Sequence, residues 1–398
     1  MNTGGADVMS GAPLKCAPPS ALHHRPRSAE VVAPLPTGCS RPTVAIKGRV
    51  EGCRGMLEAE LRLATEMRQL LFGHLLSRAI CAAAVLRIPD LLASGPESLE
   101  VLADRSGAHA PSLRRLLRAL AVFGIFAERE DGDFELTPLA ATLCTGAHGS
   151  TGALALMFAG EFGQAQNELL HTIRTGEASF EFLYGMKEFD YLAKNPDTAR
   201  IFNQAMTDLT AYAVDEILAT VDFSPYRTIV DVGGGEGLLL RSILHAYPEA
   251  NGILFDQPEV LETTGQLIES AGLIDRCAIV AGNFFDWVPA GGDLYILKHV
   301  LHAWDDEGSL PILRNCRQAI AQNGTLMVLE HVMIEHAVPD SALESTALLD
   351  LHMFAITGEG RIRTEADFAR LLGAAGFRLT RITPTHSGTA VIESSIPG

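Results

Sequence analysis

The chain has 398 residues and a formal net charge of −17. Phosphate attraction dominates the binding of nucleic acids and anionic membranes, so an acidic balance of this size argues against a general binder of either. Seven cysteines occur without a Cys-x-x-Cys pair. That pattern predicts reduced thiols in a cytoplasmic protein and no metal site. No uninterrupted apolar stretch has transmembrane length, so no membrane span is expected.

Residues 1–55 differ in composition from the rest, because they hold seven of the 20 prolines and show little apolar periodicity. Such a segment buries too little apolar surface to offset the entropy of ordering it, so a disordered extension is expected. Met56 is an alternative start codon. The remaining length is enough for two domains with sizeable cores.

Residues 56–150 show the pattern of a mostly helical domain. Apolar residues recur at three- and four-residue steps from Leu57 to Ile80, and short helices are predicted to begin at Ser98 and Pro111. A β-hairpin is predicted to turn at Asp131-Gly132. Three helices followed by a hairpin indicate a winged-helix domain.

A winged helix has two functional interpretations. DNA binding would use Arg114, Arg115 and Arg118, but the domain carries twelve acidic and nine basic residues, a poor electrostatic footprint for nucleic acid. The charge balance favours the other interpretation, in which these arginines form a solvated face and the apolar first helix packs on a second subunit. No nucleic-acid partner is therefore expected.

Residues 151–222 are predicted to form a helical linker with an irregular break at Gly176–Phe189. This linker is expected to contribute to a substrate pocket together with a later helical stretch, although most aromatic and methionine residues are, individually, core residues. The side chains expected to shape the pocket are Phe180, Phe202, Met206, Met353 and Thr357.

Residues 223–398 alternate short apolar runs with helical stretches. This alternation predicts an α/β domain with a mostly parallel sheet covered on both faces. The predicted strands are Thr228–Val232, Gly252–Phe255, Cys277–Val280, Leu294–Leu297, Thr325–Glu330, Arg378–Thr383 and Thr389–Glu393.

A glycine-rich turn joins the first of these strands to a helix. Asp231 lies in the strand, Gly233, Gly235 and Gly237 follow at alternate positions, and an amphipathic helix is expected over Leu238–Tyr247. Glycines at such a turn let the backbone bend sharply and come close to a ligand, with helix N–H groups pointing at it. The turn alone is weak evidence, because dinucleotide enzymes, nucleotide binders and plain loops share it.

Polar and aromatic residues stand at the ends of the next strands. Asp256 follows the second strand, Asn283 and Phe284 follow the third, Lys298 follows the fourth, and Glu330 ends the fifth. Ligands bind beyond the carboxyl ends of parallel strands, so these residues are expected to converge on one crevice. An acid after the second strand can accept both ribose hydroxyls of a nucleoside. Each residue alone could instead be a helix cap, a core residue or a surface charge.

Five motifs in order resemble those of the small-molecule O-methyltransferases, the plant caffeate and flavonoid enzymes and their bacterial relatives in polyketide and carotenoid tailoring. The resemblance extends from about Leu57 to the C-terminus. It implies a class I Rossmann-like fold, S-adenosyl-L-methionine as cofactor, and an N-terminal winged-helix dimerisation domain that forms a homodimer. The motifs are Asp231-Val-Gly-Gly-Gly-Glu-Gly, Phe255-Asp-Gln-Pro, Gly282-Asn-Phe-Phe, Leu297-Lys-His-Val-Leu-His-Ala-Trp and Arg363-Thr.

The resemblance also implies the roles of individual residues. It places the methionine part of the cofactor at the turn that carries Asp231, Gly233 and Gly235, and the ribose at Asp256. It places the adenine at Asn283 and Phe284, with Lys298 close by. The general base of the family corresponds to His302, and the acid that orients this base corresponds to Glu330.

Elementary chemistry agrees with this assignment. A hydroxyl nucleophile must lose a proton during methyl transfer, and histidine backed by a carboxylate suits that task at neutral pH. His299 is a competing candidate, because it lies three residues from His302, and both could also be core or capping histidines. The spacing from Lys298 and the neighbouring Trp304 favour His302.

Three positions depart from the family pattern. Ala303 stands where an aspartate usually follows the base, Asn283 where an acid commonly reads the adenine, and Ile362 where a second glutamate usually supports the base.

Taken together, the motifs predict an O-methyltransferase acting on a hydroxyl of an apolar or aromatic secondary metabolite. Two rivals remain: a relative that binds the cofactor but does non-methylating chemistry, and a ligand-sensing winged-helix regulator.

Overall fold

The computed structural model describes residues 50–336 and 338–398, with side chains from residue 61 onward. Helix α1 spans Val50–Val85 and so begins before the predicted domain boundary at residue 56. Residues 1–49 of the predicted extension lie outside the described residues. The first turns of α1, up to Thr65, belong to a separate unit, and Glu66–Gly398 form one compact unit.

The N-terminal domain consists of helices and one small hairpin. Ser98 caps the third helix, because its side chain accepts a hydrogen bond from the backbone N–H of Val101. Phe126 and Phe134, one from each hairpin strand, are buried among the helices. The elements after α1 are α2 Ile88–Leu92, α3 Leu99–Ser106, α4 Ala110–Val122, β1 Phe126–Glu128, β2 Phe134–Leu136 and α5 Pro138–Ala141.

One face of α1 is apolar and exposed. Leu70 is 74% exposed, and Met67, Leu71 and Leu75 continue the same stripe at three- and four-residue steps. An apolar stripe of this length is costly to leave in water, and it marks an interaction surface.

The linker between the two domains is helical, and the predicted irregular break at Gly176–Phe189 is wrong in one respect. A short helix, α9, lies inside it. Gly176 and Gly185 adopt left-handed conformations with φ of 76° and 71°, so each ends one helix and allows the next to start in a new direction. The linker helices are α6 Gly152–Ala159, α7 Glu161–Asn167, α8 Leu169–Thr175, α9 Ser179–Tyr184, α10 Glu188–Lys194 and α11 Pro196–Thr220.

The C-terminal domain contains a seven-stranded, mostly parallel sheet, which confirms the predicted α/β class. The spatial order is β5-β4-β3-β6-β7-β9-β8, with β9 antiparallel to both of its neighbours. The chain reverses its winding direction at β3, which creates a crevice at the carboxyl ends of β3 and β6. The strands are β3 Thr228–Val232, β4 Asn251–Asp256, β5 Cys277–Ala281, β6 Leu294–Lys298, β7 Thr325–Glu330, β8 Arg378–Thr383 and β9 Ala390–Ser395.

Helices cover both faces of this sheet. Alternate residues of a strand point to opposite faces, so Ile229 joins one apolar core and Val230 joins the other. The helices of this domain are α12 Leu238–Ala246, α13 Thr264–Ser270, α14 Asp306–Ala319, α15 Ser341–Thr357 and α16 Glu365–Ala374, and a 3-10 turn spans Leu301–Ala303. Across the described ranges, no helix is both long and apolar enough to cross a membrane.

The packing around the glycine-rich turn yields a stability prediction. A methyl group at Gly234 would lie 2.4 Å from Leu254 Cδ1 and 2.7 Å from Asp231 Oδ2, so Gly234→Ala should lower the free energy of unfolding by about 1–3 kcal/mol. Gly373, an exposed helical glycine with no atom within 4 Å of the added methyl group, is the matched control. Gly373→Ala should raise the free energy of unfolding by about 0.5–1 kcal/mol. Urea denaturation measures both, and equal effects would contradict the packing described.

Candidate active site

The loop after β3 is held open by glycines in left-handed conformations. Gly233 and Gly235 have φ of 70° and 60°, values that other residues adopt only with strain. A methyl group at Gly233 would lie 2.9 Å from Val300 Cγ2 and 3.6 Å from the ring of Phe284. At Gly235 nothing lies within 4 Å of the same position. The loop therefore packs tightly against Val300, just after β6, on one side. It leaves open space on the other side, at Gly235.

Asp256, at the end of β4, fixes this loop. Its Oδ2 accepts a hydrogen bond from the backbone N–H of Gly235 at 2.8 Å, and its Oδ1 accepts one from Gln257 N–H at 2.7 Å. Burial raises the pKa of this carboxyl, and the two N–H donors oppose the rise. Each carboxylate oxygen retains acceptor capacity for a further donor.

Asp231 is a buried acid whose Oδ2 atom has no hydrogen-bond partner among the described residues. It is 1% exposed. Burial raises its pKa to about 7, and the nearby Lys298 opposes the rise. A buried acceptor without a donor is costly, which is typical of a position that a cationic or donor group of a ligand completes.

Asn283 and Phe284 lie at the rim of the crevice, after β5. Asn283 is exposed, and its Oδ1 accepts a hydrogen bond from the Phe285 backbone N–H at 2.9 Å, which leaves its amide N–H₂ pointing outward. Phe284 is half-buried with its ring centroid 4.9 Å from that of Phe285. Asn315 holds this segment by donating to the Phe284 carbonyl at 2.9 Å.

Lys298 ends β6, and His299 follows it directly. Lys298 Nζ lies 3.2 Å from His299 Nδ1, and burial lowers the pKa of Lys298 to about 8. His299 has a left-handed backbone with φ of 55°, and its Nε2 lies 3.4 Å from Thr389 Oγ1. Burial holds the pKa of His299 well below its usual range. Both nitrogens of His299 are therefore engaged by the protein itself.

His302 and Glu330 form a buried pair. His302 Nδ1 lies 2.7 Å from Glu330 Oε2, and the backbone N–H of His302 donates to Glu330 Oε1 at 3.2 Å. Glu330 is 1% exposed and the His302 side chain is 14% exposed. Because a carboxylate can only accept, His302 Nδ1 carries the proton and Nε2 carries a free lone pair. His302 follows Val300 by two residues, and the side chain of Val300 lies next to Gly233.

Arg363 holds the 3-10 turn that carries His302. This arginine is 1% exposed, and its guanidinium donates to the Leu301 carbonyl at 2.7 Å and to the Trp304 carbonyl at 2.9 Å. Its Nε donates to Asp306 Oδ1 at 3.0 Å. Arg363 of the sequence motif therefore clamps the turn that carries His302, and the adjacent Thr364 caps α16.

Two of the positions that depart from the family pattern meet in space. Ala303 and Ile362 are both buried, and they pack together with Met353 in one apolar cluster. The backbone N–H of Ile362 donates to Asp350 Oδ1 at 2.7 Å. The surroundings of His302 are apolar on this side.

The residues predicted to shape the pocket have different surroundings in the structure. Phe202 stacks on Phe162 with ring centroids 5.6 Å apart, and Met206 belongs to the same cluster. Phe180 is fully buried in that cluster and acts as core. Thr357 uses its hydroxyl at its own helix end, where it donates to the Met353 carbonyl and accepts from Gly360 N–H.

Sequence reasoning missed His352 and Gln166. Gln166 Nε2 lies 2.9 Å from His352 Nδ1, a contact between residues 186 positions apart. His352 stands one residue before Met353, inside the otherwise apolar run 351–356 at the end of α15. A polar aromatic residue in that setting was the available signal.

Comparison with known proteins identifies the family. The O-methyltransferase domain matches residues 166–378, and the O-methyltransferase dimerisation domain matches residues 68–146. This chain belongs to the O-methyltransferase family and is an S-adenosylmethionine-dependent transferase. Its cofactor is S-adenosyl-L-methionine, as predicted.

Three similar proteins illustrate the range of the family. A phenazine O-methyltransferase of Lysobacter antibioticus is 42% identical over 83% of this chain and 96% of its own length. An O-methyltransferase from neocarzinostatin biosynthesis, solved with S-adenosylmethionine and 2-hydroxy-5-methyl naphthoic acid, is 30% identical with a TM-score of 0.70 over 81% of this chain and 96% of its own. A phenazine-1-carboxylate N-methyltransferase of Pseudomonas aeruginosa is 33% identical over 85% of this chain and 99% of its own length.

Asp231 yields a prediction about pH and stability. Its pKa is raised in the folded protein, so the folded state binds more protons than the unfolded state, and stability falls as pH rises from about 4 to about 7. Asp231→Asn removes this penalty. Without cofactor, the free energy of unfolding of the variant should exceed that of the natural protein by about 1–3 kcal/mol at pH 8 and by much less at pH 5. Urea denaturation at both pH values measures this difference, and a gain independent of pH would contradict it.

Proposed function

We propose that this enzyme methylates a hydroxyl group of an apolar or aromatic secondary metabolite, with His302 as general base and Glu330 as the residue that orients it. The observation that carries the proposal is the 2.7 Å contact between His302 Nδ1 and Glu330 Oε2. It fixes the tautomer in which Nε2 is free to accept a proton. Because Glu330 also binds the His302 backbone N–H, ring and backbone are held together.

The proton transfer follows from this geometry. As the substrate hydroxyl attacks, His302 Nε2 takes its proton, and the positive charge that forms on the imidazole faces the buried Glu330 carboxylate. That carboxylate stabilises the imidazolium without itself becoming protonated. The engagement of both His299 nitrogens by Lys298 and Thr389 supports His302, rather than His299, as the base.

The loop after β3 fits the cofactor. When bound, S-adenosyl-L-methionine supplies an electrophilic methyl group on a sulfonium and carries a positively charged amino group. We assign its methionine part to the turn at Gly233 and Gly235, beside the partnerless Asp231 Oδ2, because a donor there would satisfy that buried oxygen. We assign the ribose to Asp256, whose oxygens keep acceptor capacity.

The remaining cofactor contacts lie at the rim and at the end of β6. We assign the adenine to Asn283 and Phe284, where an outward-facing amide stands beside an aromatic face. Lys298, half-buried near Asp231, supplies positive charge close to this acid.

The substrate pocket is assigned to the aromatic surface on the other side of His302. Phe189 stacks on Trp304 with centroids 5.8 Å apart, and Phe202 stacks on Phe162. Phe162 and Met353 are themselves buried, so the flat apolar surface of this assignment comes from Phe189, Trp304, Phe202 and Met206. Such a lining suits a planar aromatic substrate.

The non-methylating rival rests on Ala303 and Ile362, which replace acids of the family pattern. The His302–Glu330 pair is complete without them, since both Glu330 oxygens already accept hydrogen bonds from His302. That completeness favours methyl transfer. Transfer to nitrogen is a second candidate, because one similar protein is named as an N-methyltransferase.

The base assignment is tested by substitution. His302→Ala should slow methylation by roughly 10²–10⁴-fold while cofactor affinity changes little, because a general base is lost and no cofactor contact is. Glu330→Gln should slow it less, because the imidazole remains. Mass spectrometry measures the rate with labelled cofactor and a hydroxylated phenazine, the substrate class in the name of one similar enzyme.

His299→Ala is the competing variant in the same assay, and it should slow methylation by less than about tenfold. A larger effect for His299→Ala than for His302→Ala would transfer the role of base to His299. Full activity of His302→Ala would remove general-base catalysis from the proposal.

We also propose that the exposed stripe of α1 forms a homodimer, consistent with the matched dimerisation domain. Analytical ultracentrifugation of the full chain at micromolar concentration should give a mass of about 85 kDa, twice 42.6 kDa. Leu70→Glu should shift the protein toward monomer, because it places a charge in the apolar contact. Ile274→Glu, at an exposed apolar residue outside α1, is the control and should stay dimeric. A monomer in the natural protein would contradict the dimer, and a tight, sequence-specific DNA complex would favour the regulator.

A further inference from the structure

His352 lies on the wall between the aromatic cluster and the base. Its ring centroid is 5.5 Å from that of Phe158 and 6.4 Å from that of Phe162. The next residue, Met353, packs against Ala303 beside His302. Helix α15 itself packs on the 3-10 turn that carries the base. His352 therefore stands on the helix that joins the aromatic cluster to the turn of His302.

Gln166 fixes which nitrogen of His352 carries the proton. The Gln166 Nε2 amide can only donate, so His352 Nδ1 accepts the 2.9 Å hydrogen bond and the ring proton resides on Nε2. Burial, together with a smaller effect of the neighbouring His302, lowers the pKa of His352 to about 4. At neutral pH the ring is therefore uncharged and offers a single N–H donor.

This donor is accessible. Nε2 makes no hydrogen bond within the described part of the chain, and it is not among the fully enclosed polar atoms that lack a partner. His352 is half-buried. An N–H held by a fixed tautomer on an otherwise aromatic wall, and not enclosed by the protein, is suited to orient a ligand.

We propose that His352 is a specificity-determining residue, whose Nε2–H donates a hydrogen bond to an uncharged acceptor on the substrate, a ring nitrogen or a ring carbonyl. This inference rests on the proposed function, because it concerns the same molecule whose hydroxyl is presented to His302. When a substrate without the acceptor binds, the Nε2–H loses its contact with water and gains no hydrogen-bond partner. Such a substrate therefore binds more weakly.

A carboxylate is a poorer fit than an uncharged acceptor. It would favour the protonated imidazole, but burial and the neighbouring His302 both oppose a second positive charge at this position. Phe158 and Phe162 also surround the ring with apolar surface. The chemistry therefore favours nitrogen heteroaromatic and quinone-like hydroxy compounds over hydroxybenzoate-like acids.

The test compares matched bicyclic ligands. 1-Naphthol is the reference without an acceptor, and 5-hydroxyquinoline, 5-hydroxyisoquinoline and 8-hydroxyisoquinoline place a ring nitrogen at three positions relative to the same hydroxyl. Calorimetry on the full chain saturated with S-adenosylhomocysteine measures dissociation constants without turnover. At least one nitrogen isomer should bind about 5- to 100-fold more tightly than 1-naphthol.

Variants identify the donor. His352→Leu should bring that affinity ratio close to one, and His352→Gln, which keeps an N–H donor, should retain part of it. Gln166→Leu should reduce the ratio by a few fold, because the tautomer is no longer fixed. His245→Leu, the same substitution at an exposed histidine on α12, should leave the ratio at its natural value.

The outcomes separate this inference from the proposed function. Equal binding of all four ligands, absence of binding, or an unchanged ratio in both His352 variants would overturn the role of His352. A ratio that depends on His352, without methylation of any of these ligands when S-adenosylmethionine is supplied, would support the role of His352 and count against the proposed reaction. A purely structural role would lower the melting temperature of the variants and leave the ratio unchanged.

Discussion

The buried carboxylate of Glu330 is the constraint on which the candidate site depends. At 1% exposure it must find donors inside the protein, and both of its oxygens find them on His302. A buried acid without such partners would be strongly destabilising. Satisfying it places the imidazole, fixes its tautomer and requires the 3-10 turn that Arg363 holds from the other side. Stability and the proposed base function thus share the same hydrogen bonds.

The two halves of the crevice differ in electrostatics. On the side proposed for the cofactor, the buried Oδ2 atom of Asp231 has no hydrogen-bond partner among the described residues, and burial raises the pKa of Asp231 to about 7. On the side proposed for the substrate, burial lowers the pKa of His352 to about 4, so this ring is uncharged at neutral pH. The first half suits a cationic ligand, and the second suits an uncharged aromatic one. A stability cost carried at Asp231 without ligand is typical of a binding site.

An arginine of the N-terminal domain holds the junction of two linker helices. Arg78, on α1, donates to the carbonyls of Phe158 at 2.7 Å and Gly163 at 2.6 Å. These carbonyls lie at the junction of α6 and α7, which carries the ring of Phe162 and the amide of Gln166. The helix with the exposed apolar stripe therefore also fixes the wall on which His352 sits.

The sequence alone determined the strand pattern, because alternating and apolar runs are local signals. β3, β7 and β8 match their predicted bounds, the glycine turn stands where predicted, and the family assignment was confirmed. The tertiary structure decided which side chains meet, since such contacts join distant positions: Gln166 and His352 are 186 residues apart. It also decided charge and tautomer, because burial and hydrogen bonding set them. That is why the sequence named His302 and left His352 unseen.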